Sequence, residues 1–502
     1  MSRKIHLYDT SLRDGAQSED VSFTLDDKLR VAEMLDGLGI AYIEGGWPGS
    51  NPRDKEFFQE VRKLKLRRAR VAAFGSTRRA NVAVEEDLNL RQLLKAETPV
   101  VTIVGKTWDL HVRDDLKISN EQNLEVIADS VAYLKQRVDE VIFDAEHFFD
   151  GLAADRDYTL SCIKAAADAG ADVIVLCDTR GGSMPGDIRA GIEGALGTGA
   201  KALGIHCHND CELAVANSIA AVEAGAVQVQ GTINGIGERC GNANLCSIIP
   251  NLKLKFGYDC VTDDELKQLQ KVSRTVYELA NIEPFKRQAY VGESAFAHKG
   301  GLHVAAVQKN RETYEHIEPE VVGNRQRVLV SDLSGRSNVL YKAKQFGYDI
   351  DYSNPAVKAV LERVKQLENI GFQYEGAEAS FQLLIEEALN GKVSHFRLKS
   401  FRVSDEKIRD DEPAFAEATV RIELADGTEA HTVASGNGPM NALDLALRKA
   451  LMPYFPALAS MELHDYKVRV LGAHDGTDAV VRVVNGGHPI AVSPPPAPGC
   501  RS

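Results

Sequence analysis

The sequence predicts an α/β fold whose first 255 residues close into a (β/α)8 TIM barrel, and three observations predict it. Eight short apolar runs alternate with longer segments whose apolar residues recur at three- and four-residue spacing. The first run ends in "DTSLRDGAQ" rather than in the glycine-rich phosphate turn of a doubly wound open sheet, the competing architecture. Polar side chains gather where the strands end, as they do at the C-terminal face of such a barrel.

The strand candidates are, in order, "KIHLYD", "AYIEGG", "ARVAAFG", "PVVTIVG", "EVIFDAE", "ADVIVLCD", "ALGIHCH" and "VQVQGTI". Between them, "TLDDKLRVAEMLDGLG", "NLEVIADSVAYLKQRV" and "TLSCIKAAADAGA" carry the helical period. Residues 256–395 read as a helical linker and lid, with helix patterns at "DDELKQLQKVSRTVYELANI", "NPAVKAVLERVKQLENI" and "ASFQLLIEEALN". Among them, "SAFAHKGGLHVAAVQKNRETYEH" is dense in His, Lys and Gly, a composition that fits a lid or a structural connection equally. Residues 396–502 read as an α+β domain. "HFRLKSFRVS", "AEATVRIEL" and "TEAHTVASG" lead to the helix "PMNALDLALRKALMPYF", and "MELHDYKVRVL" and "TDAVVRVV" then restart the pattern as an internal duplication. The second copy is expected to be incomplete: after Val484 the chain reads "NGGHPIAVSPPPAPGCRS", which cannot supply the helix, as if truncated or shifted in frame.

Composition narrows the function classes. A chain of 502 residues implies more than one domain, and 44% hydrophobic with 26% charged residues is ordinary for a globular protein. No apolar run approaches the roughly 18 residues that span a bilayer. The start, "MSRKIHLYDT", shows no secretory signal, so a cytoplasmic location is expected. Eight dispersed cysteines fit reduced thiols, and a net charge of −13 argues against a nucleic-acid partner.

The strand ends carry the chemistry. Arg13 and Asp14 follow the first strand, Glu44 lies on the second, Glu146 closes the fifth and Thr179 follows the sixth. His206 and His208 close the seventh, and Asn242 lies in "NGIGERCGNAN" after the eighth. Residues two apart on a strand point the same way, so the two imidazoles converge while Cys207 faces the opposite side. An isolated His-x-His is commonly a pair of satisfied histidines, and Asp178 and Thr179, taken singly, read as helix caps. A carboxylate, two imidazoles and an amide on one rim make a divalent ion the leading explanation, with Asp14, His206, His208 and Asn242 as donors.

"YDTSLRDGAQ", "GIHCHND", "GERCGNANL" and "HKGGLHVAAV" resemble the signatures of the DRE-TIM metallolyase superfamily, in the branch of the 2-isopropylmalate, homocitrate and citramalate synthases. "YIEGGWPGSNPRD", "AFGSTRR", "FDAEHFFDG" and "VLVSDLSGRSN" look most like its citramalate-forming members. The resemblance implies Claisen condensation of acetyl-CoA with a 2-oxo acid, here pyruvate, then thioester hydrolysis to citramalate and CoA, a step toward isoleucine. A 2-oxoisovalerate acceptor, as in 2-isopropylmalate synthase, is the alternative. A barrel that keeps its metal and has lost catalysis is a second one, against which the retained Arg13, Asp14, Glu146, His206, His208 and His303 speak.

By that resemblance Mg²⁺, Mn²⁺ or Zn²⁺ would sit on Asp14, His206 and His208, with Asn242 completing or supporting the shell. Arg13 would hold the nascent alkoxide and Thr179 the acceptor carboxylate, in a pocket that includes Glu44 and Asp144. Glu146 and His303 would share proton transfer with Tyr314, while His298 and Asn310 are weaker candidates. Two positions depart from the pattern: Asp144 replaces an aromatic ring found in some relatives, and Arg180 stands where a small or amide residue is expected. The resemblance also implies a homodimer with the lid reaching the partner's barrel. Residues 396–502 would be a regulatory domain answering to isoleucine, with feedback weak or absent because its second unit is incomplete.

Overall fold

The computed structural model describes residues 3–369, 372, 374–375, 377–391, 394–407, 415–461, 465–471 and 480–486. Eight parallel strands form a closed barrel: β1 (His6–Asp9), β2 (Tyr42–Gly46), β3 (Arg70–Ser76), β4 (Val100–Lys106), β5 (Glu140–Glu146), β6 (Val173–Asp178), β7 (Leu203–Cys207) and β8 (Gln228–Gly231). β8 pairs with β1, with Asp9 opposite Gly231, so no edge is left and the open-sheet alternative is excluded. Each strand coincides with one of the eight apolar runs.

Strand alternation divides the barrel into two apolar layers. Outward-facing Ile43, Val101, Ile103, Phe143, Leu176, Ile205, Cys207 and Val229 join one large cluster with the surrounding helices. Inward-facing Tyr8, Tyr42, Ala72, Val100, Ile142, Val175 and Cys177 plug the interior. Toward the C-terminal ends the inward positions turn polar, at Glu44, Thr102, Asp144, His206 and Gln230, all buried. Local signals set the helices: Thr24 with Asp27 and Ser119 with Gln122 cap Leu25–Gly37 and Asn120–Lys135 reciprocally.

Two compact units emerge, Met1–Ala297 with Glu315–Arg327, and His298–Tyr314 with Val328–Ser502. The first extends past residue 255, where the alternating pattern placed the end of the barrel domain. The stretch read as one helix breaks into Asp263–Leu266 and Leu269–Leu279. Leu269, Val272 and Val276 of the longer piece are buried in the barrel's outer cluster, so this helix is part of the barrel unit rather than a linker.

Among the described residues, the second unit contains two cores. Val339, Val357, Val360, Val364, Phe381 and Ile385 pack together from helices Arg336–Gln345, Pro355–Asn369 and Glu378–Asn390. Strands Phe396–Glu406, Phe415–Leu424 and Glu429–Gly436 form an antiparallel sheet, and helix Pro439–Leu451 covers one face through Ala442, Ala446 and Ala450. The pattern then restarts as the duplication predicts, with Asp465–Leu471 paired antiparallel to Val480–Gly486. The tail beyond residue 486, where the repeat was read to break off, lies outside the described residues. No helix among the described residues is long and apolar enough to cross a membrane, and none of the described cysteines is in a disulfide.

Candidate active site

Two strand ends, those of β1 and β7, deliver the metal-type donors to one point. After β1 the chain doubles back, with the Arg13 and Gly15 amides both donating to the Thr10 carbonyl, which sets Asp14 at the mouth. Asp14 Oδ2 lies 3.3 Å from His206 Nε2 and 3.9 Å from His208 Nε2. The two Nε2 atoms are 3.3 Å apart, and all three residues are buried. Their donor atoms fall within 4.8 Å of one another, so one ion can be shared among them. Cys207 points away, into the outer apolar cluster.

The electrostatics suit a cation. Burial works against ionising Asp14, yet Arg13 and the bond to His206 hold its carboxyl well below the usual carboxylate range. Burial and the neighbouring His206 push His208 down to about 4, which leaves it neutral with a lone pair to offer at neutral pH. The Asn242 backbone bridges to that of His208, and its buried Oδ1 has no hydrogen-bond partner, nor has His208 Nδ1. One carboxylate and two imidazoles fit a divalent ion, and Asn242, next to His208 through the backbone and with its amide oxygen unsatisfied, is a further candidate donor. The loop carrying Asn242 depends on glycine: Gly241 sits at φ +88°, and a Cβ there would collide with the Gly235 carbonyl.

Arg13 is braced on three sides. Its Nε donates to Glu44 Oε1 (2.5 Å), its Nη1 is 3.7 Å from Asp14 Oδ2, and its guanidinium lies 3.8 Å from the centroid of the Phe74 ring. Tyr8 donates to the other Glu44 oxygen (2.6 Å) and shares a bond with Thr102 (2.8 Å). Both Glu44 oxygens are thus engaged inside the protein, one of them supporting Arg13.

Asp144, the first departure, is buried and accepts a bond from Gln230 Nε2 (3.0 Å). Burial, then the Glu44 charge, pushes its carboxyl up to about 7. Arg180, the second, turns to Asp150 (3.0 Å), with its guanidinium 5.7 Å from the Trp108 ring.

The remaining predicted residues lie as follows. Glu146 Oε2 is 2.7 Å from Lys106 Nζ, an ion pair set by the β4–β5 register, in which Lys106 and Glu146 are directly opposite. Thr179 Oγ1 accepts from the His147 amide (2.8 Å). Asp178 accepts from the Ser183 hydroxyl (2.9 Å) within the loop, while the next helix begins at Pro185, so it braces a loop instead of capping a helix. His303 and Tyr314 belong to the second unit, where their rings stack with centroids 4.2 Å apart. Asn310 caps the turn Arg311–Thr313 by accepting from the Glu312 amide, a structural task. The His298 carbonyl accepts from the Leu329 amide (2.8 Å).

Sequence reading missed Gln230, Lys106 and Tyr8. Lys106 had a usable signal, since it ends β4 just as Glu146 ends β5. Gln230 and Tyr8 sit inside strands, where nothing marks them without the pairing register.

Fold and donor set define a (β/α)8 barrel with a group that could hold a metal ion at its C-terminal mouth. The HMGL-like family model matches residues 4–276, the homocitrate synthase post-HMGL domain-like model 290–371, and the LeuA allosteric (dimerisation) domain model 375–488. An (R)-citramalate synthase of Geobacter sulfurreducens is 57% identical over 480 residues, covering 96% of this chain and 91% of that protein. An (R)-citramalate synthase of Aquifex aeolicus is 53% identical over 485 residues, covering 96% and 92%. A 2-isopropylmalate synthase of Oceanobacillus iheyensis is 33% identical over 497 residues, covering 97% and 92%. The chain belongs to the HMGL-like family, among its citramalate synthases.

Proposed function

We propose that this chain condenses acetyl-CoA with pyruvate and hydrolyses the thioester to give (R)-citramalate and CoA. The observation that carries the reading is the buried Asp14–His206–His208 triad beside the braced guanidinium of Arg13. Mg²⁺, Mn²⁺ or Zn²⁺ on that triad, with Asn242 as a further donor, supplies Lewis acidity to a bound 2-oxo acid.

Arg13, immobilised by Glu44 and Phe74, presents a fixed cation to the carbonyl oxygen as it gains charge. Thr179 offers its hydroxyl hydrogen to the acceptor carboxylate. Glu146, ion-paired with the Lys106 ammonium, takes the proton from the acetyl methyl group. The resulting carbanion attacks C2 of pyruvate, the alkoxide is protonated, and water then cleaves the thioester. His303 and Tyr314 assist the proton transfers. Residues 375–488, which match a dimerisation domain, pair two chains, and isoleucine is the effector expected there.

The identities of 57% and 53% to citramalate synthases, against 33% to the 2-isopropylmalate synthase, favour pyruvate over 2-oxoisovalerate. CoA release measured with a panel of 2-oxo acids tests it. The highest kcat/KM is expected for pyruvate, and a preference for 2-oxoisovalerate would move the chain to the leucine route.

A further inference from the structure

His206 is oriented by a buried relay that involves no substrate. Its Nδ1 is 2.9 Å from Gln230 Oε1, and Gln230 Nε2 is 3.0 Å from Asp144 Oδ1. All three side chains point into the barrel, and Asp144, His206 and Gln230 are 3%, 6% and 0% exposed, so the relay is shielded from bulk water. The chain has a polarity. The Gln230 NH2 faces Asp144 and its oxygen faces the imidazole, the orientation that an ionised Asp144 enforces because a carboxylate only accepts. That oxygen in turn requires a proton on His206 Nδ1, so Nε2, which faces Asp14 and His208, is the ring atom left to take a metal ion.

We propose that Gln230 and Asp144 are positioning residues that fix His206 in its metal-binding tautomer, with Asp144 setting the direction of the Gln230 amide. The departure at position 144 then has a physical role: its carboxylate orders the amide instead of lining the pocket with an aromatic ring. This inference rests on the metal site proposed above.

The test is calorimetric titration of Mn²⁺ into the metal-stripped full-length protein, with circular dichroism to monitor folding. Gln230→Met keeps volume and removes the acceptor, and should weaken Mn²⁺ binding about 10- to 100-fold. The exchange variant Gln230→Glu with Asp144→Asn restores the relay, because the carboxylate moved to position 230 accepts both from His206 and from the side-chain amide moved to position 144. It should bind within about threefold of wild type, a recovery that a packing role would not give.

Wild-type affinity in folded Gln230→Met overturns the proposal, as does an exchange variant that folds and binds no better than Gln230→Met. If Gln230→Met fails to fold, the exchange variant decides alone: tight binding supports the relay and weak binding overturns it. His208→Ala separates the two claims. Should it bind Mn²⁺ like wild type, the metal site itself is wrong; should it lose Mn²⁺ while Gln230→Met keeps it, only the relay fails.

Discussion

Strand β7 and the strand Phe415–Leu424 obey the same two-residue alternation with opposite consequences. Every residue of β7 is buried, because its outward side chains meet helices while its inward ones meet the site. Along Phe415–Leu424 the even-numbered residues Ala416, Ala418, Val420, Ile422 and Leu424 are buried, and the residues between them are exposed or half-buried. A strand with two covered faces can devote one to packing and the end of the other to chemistry. A strand with one covered face has only packing to offer.

That contrast predicts where substitutions act. His208→Ala should give the largest effect, with metal content and turnover lost together by about 10³-fold or more, since a Lewis acid contributes several kcal/mol. Elemental analysis beside CoA release checks it, and wild-type values for both would make the histidines structural.

Glu146→Gln keeps shape and removes the charge. It should lower kcat by about 10²- to 10⁴-fold with little change in KM for pyruvate. Near-normal turnover would remove Glu146 from the mechanism. Lys106→Met, acting through Glu146, should cost roughly 10-fold in kcat, about 1.4 kcal/mol, read from the rate of CoA release.

The opposite behaviour is expected in the sheet. Ile422→Ala should destabilise its own domain by about 2–5 kcal/mol and leave turnover at 25 °C near wild type. Arg421→Ala, one position away on the exposed face, should change stability by less than about 0.5 kcal/mol. Denaturant titration of the pair, followed alongside activity, would break the comparison if Arg421 proved the costlier substitution.

The same contrast explains what could be read in advance. Strands such as Val173–Asp178 are legible because both faces are buried, which leaves a short, nearly unbroken apolar run between polar turns. Asp14, His206 and His208 are legible because strand ends are where a barrel exposes function. Gln230 and Tyr8 are not, because their roles depend on strands distant in sequence: Gln230 meets His206 across β7–β8, and Tyr8 meets Glu44 and Thr102 across the interior. Helix Leu269–Leu279 escaped for a related reason. Its apolar stripe announces that it packs, while nothing in the stripe names the core it joins. The resemblance alone pointed to His303 and Tyr314, since a histidine and a tyrosine outside the barrel carry no pattern of their own.

The most direct measurement strips the protein with a chelator, verifies metal loss, and follows CoA release from acetyl-CoA with pyruvate before and after adding Mg²⁺, Mn²⁺ or Zn²⁺. Turnover should vanish on stripping and return with at least one of the ions in the wild type, but with none in His208→Ala. Full turnover in verified metal-free protein would contradict the account.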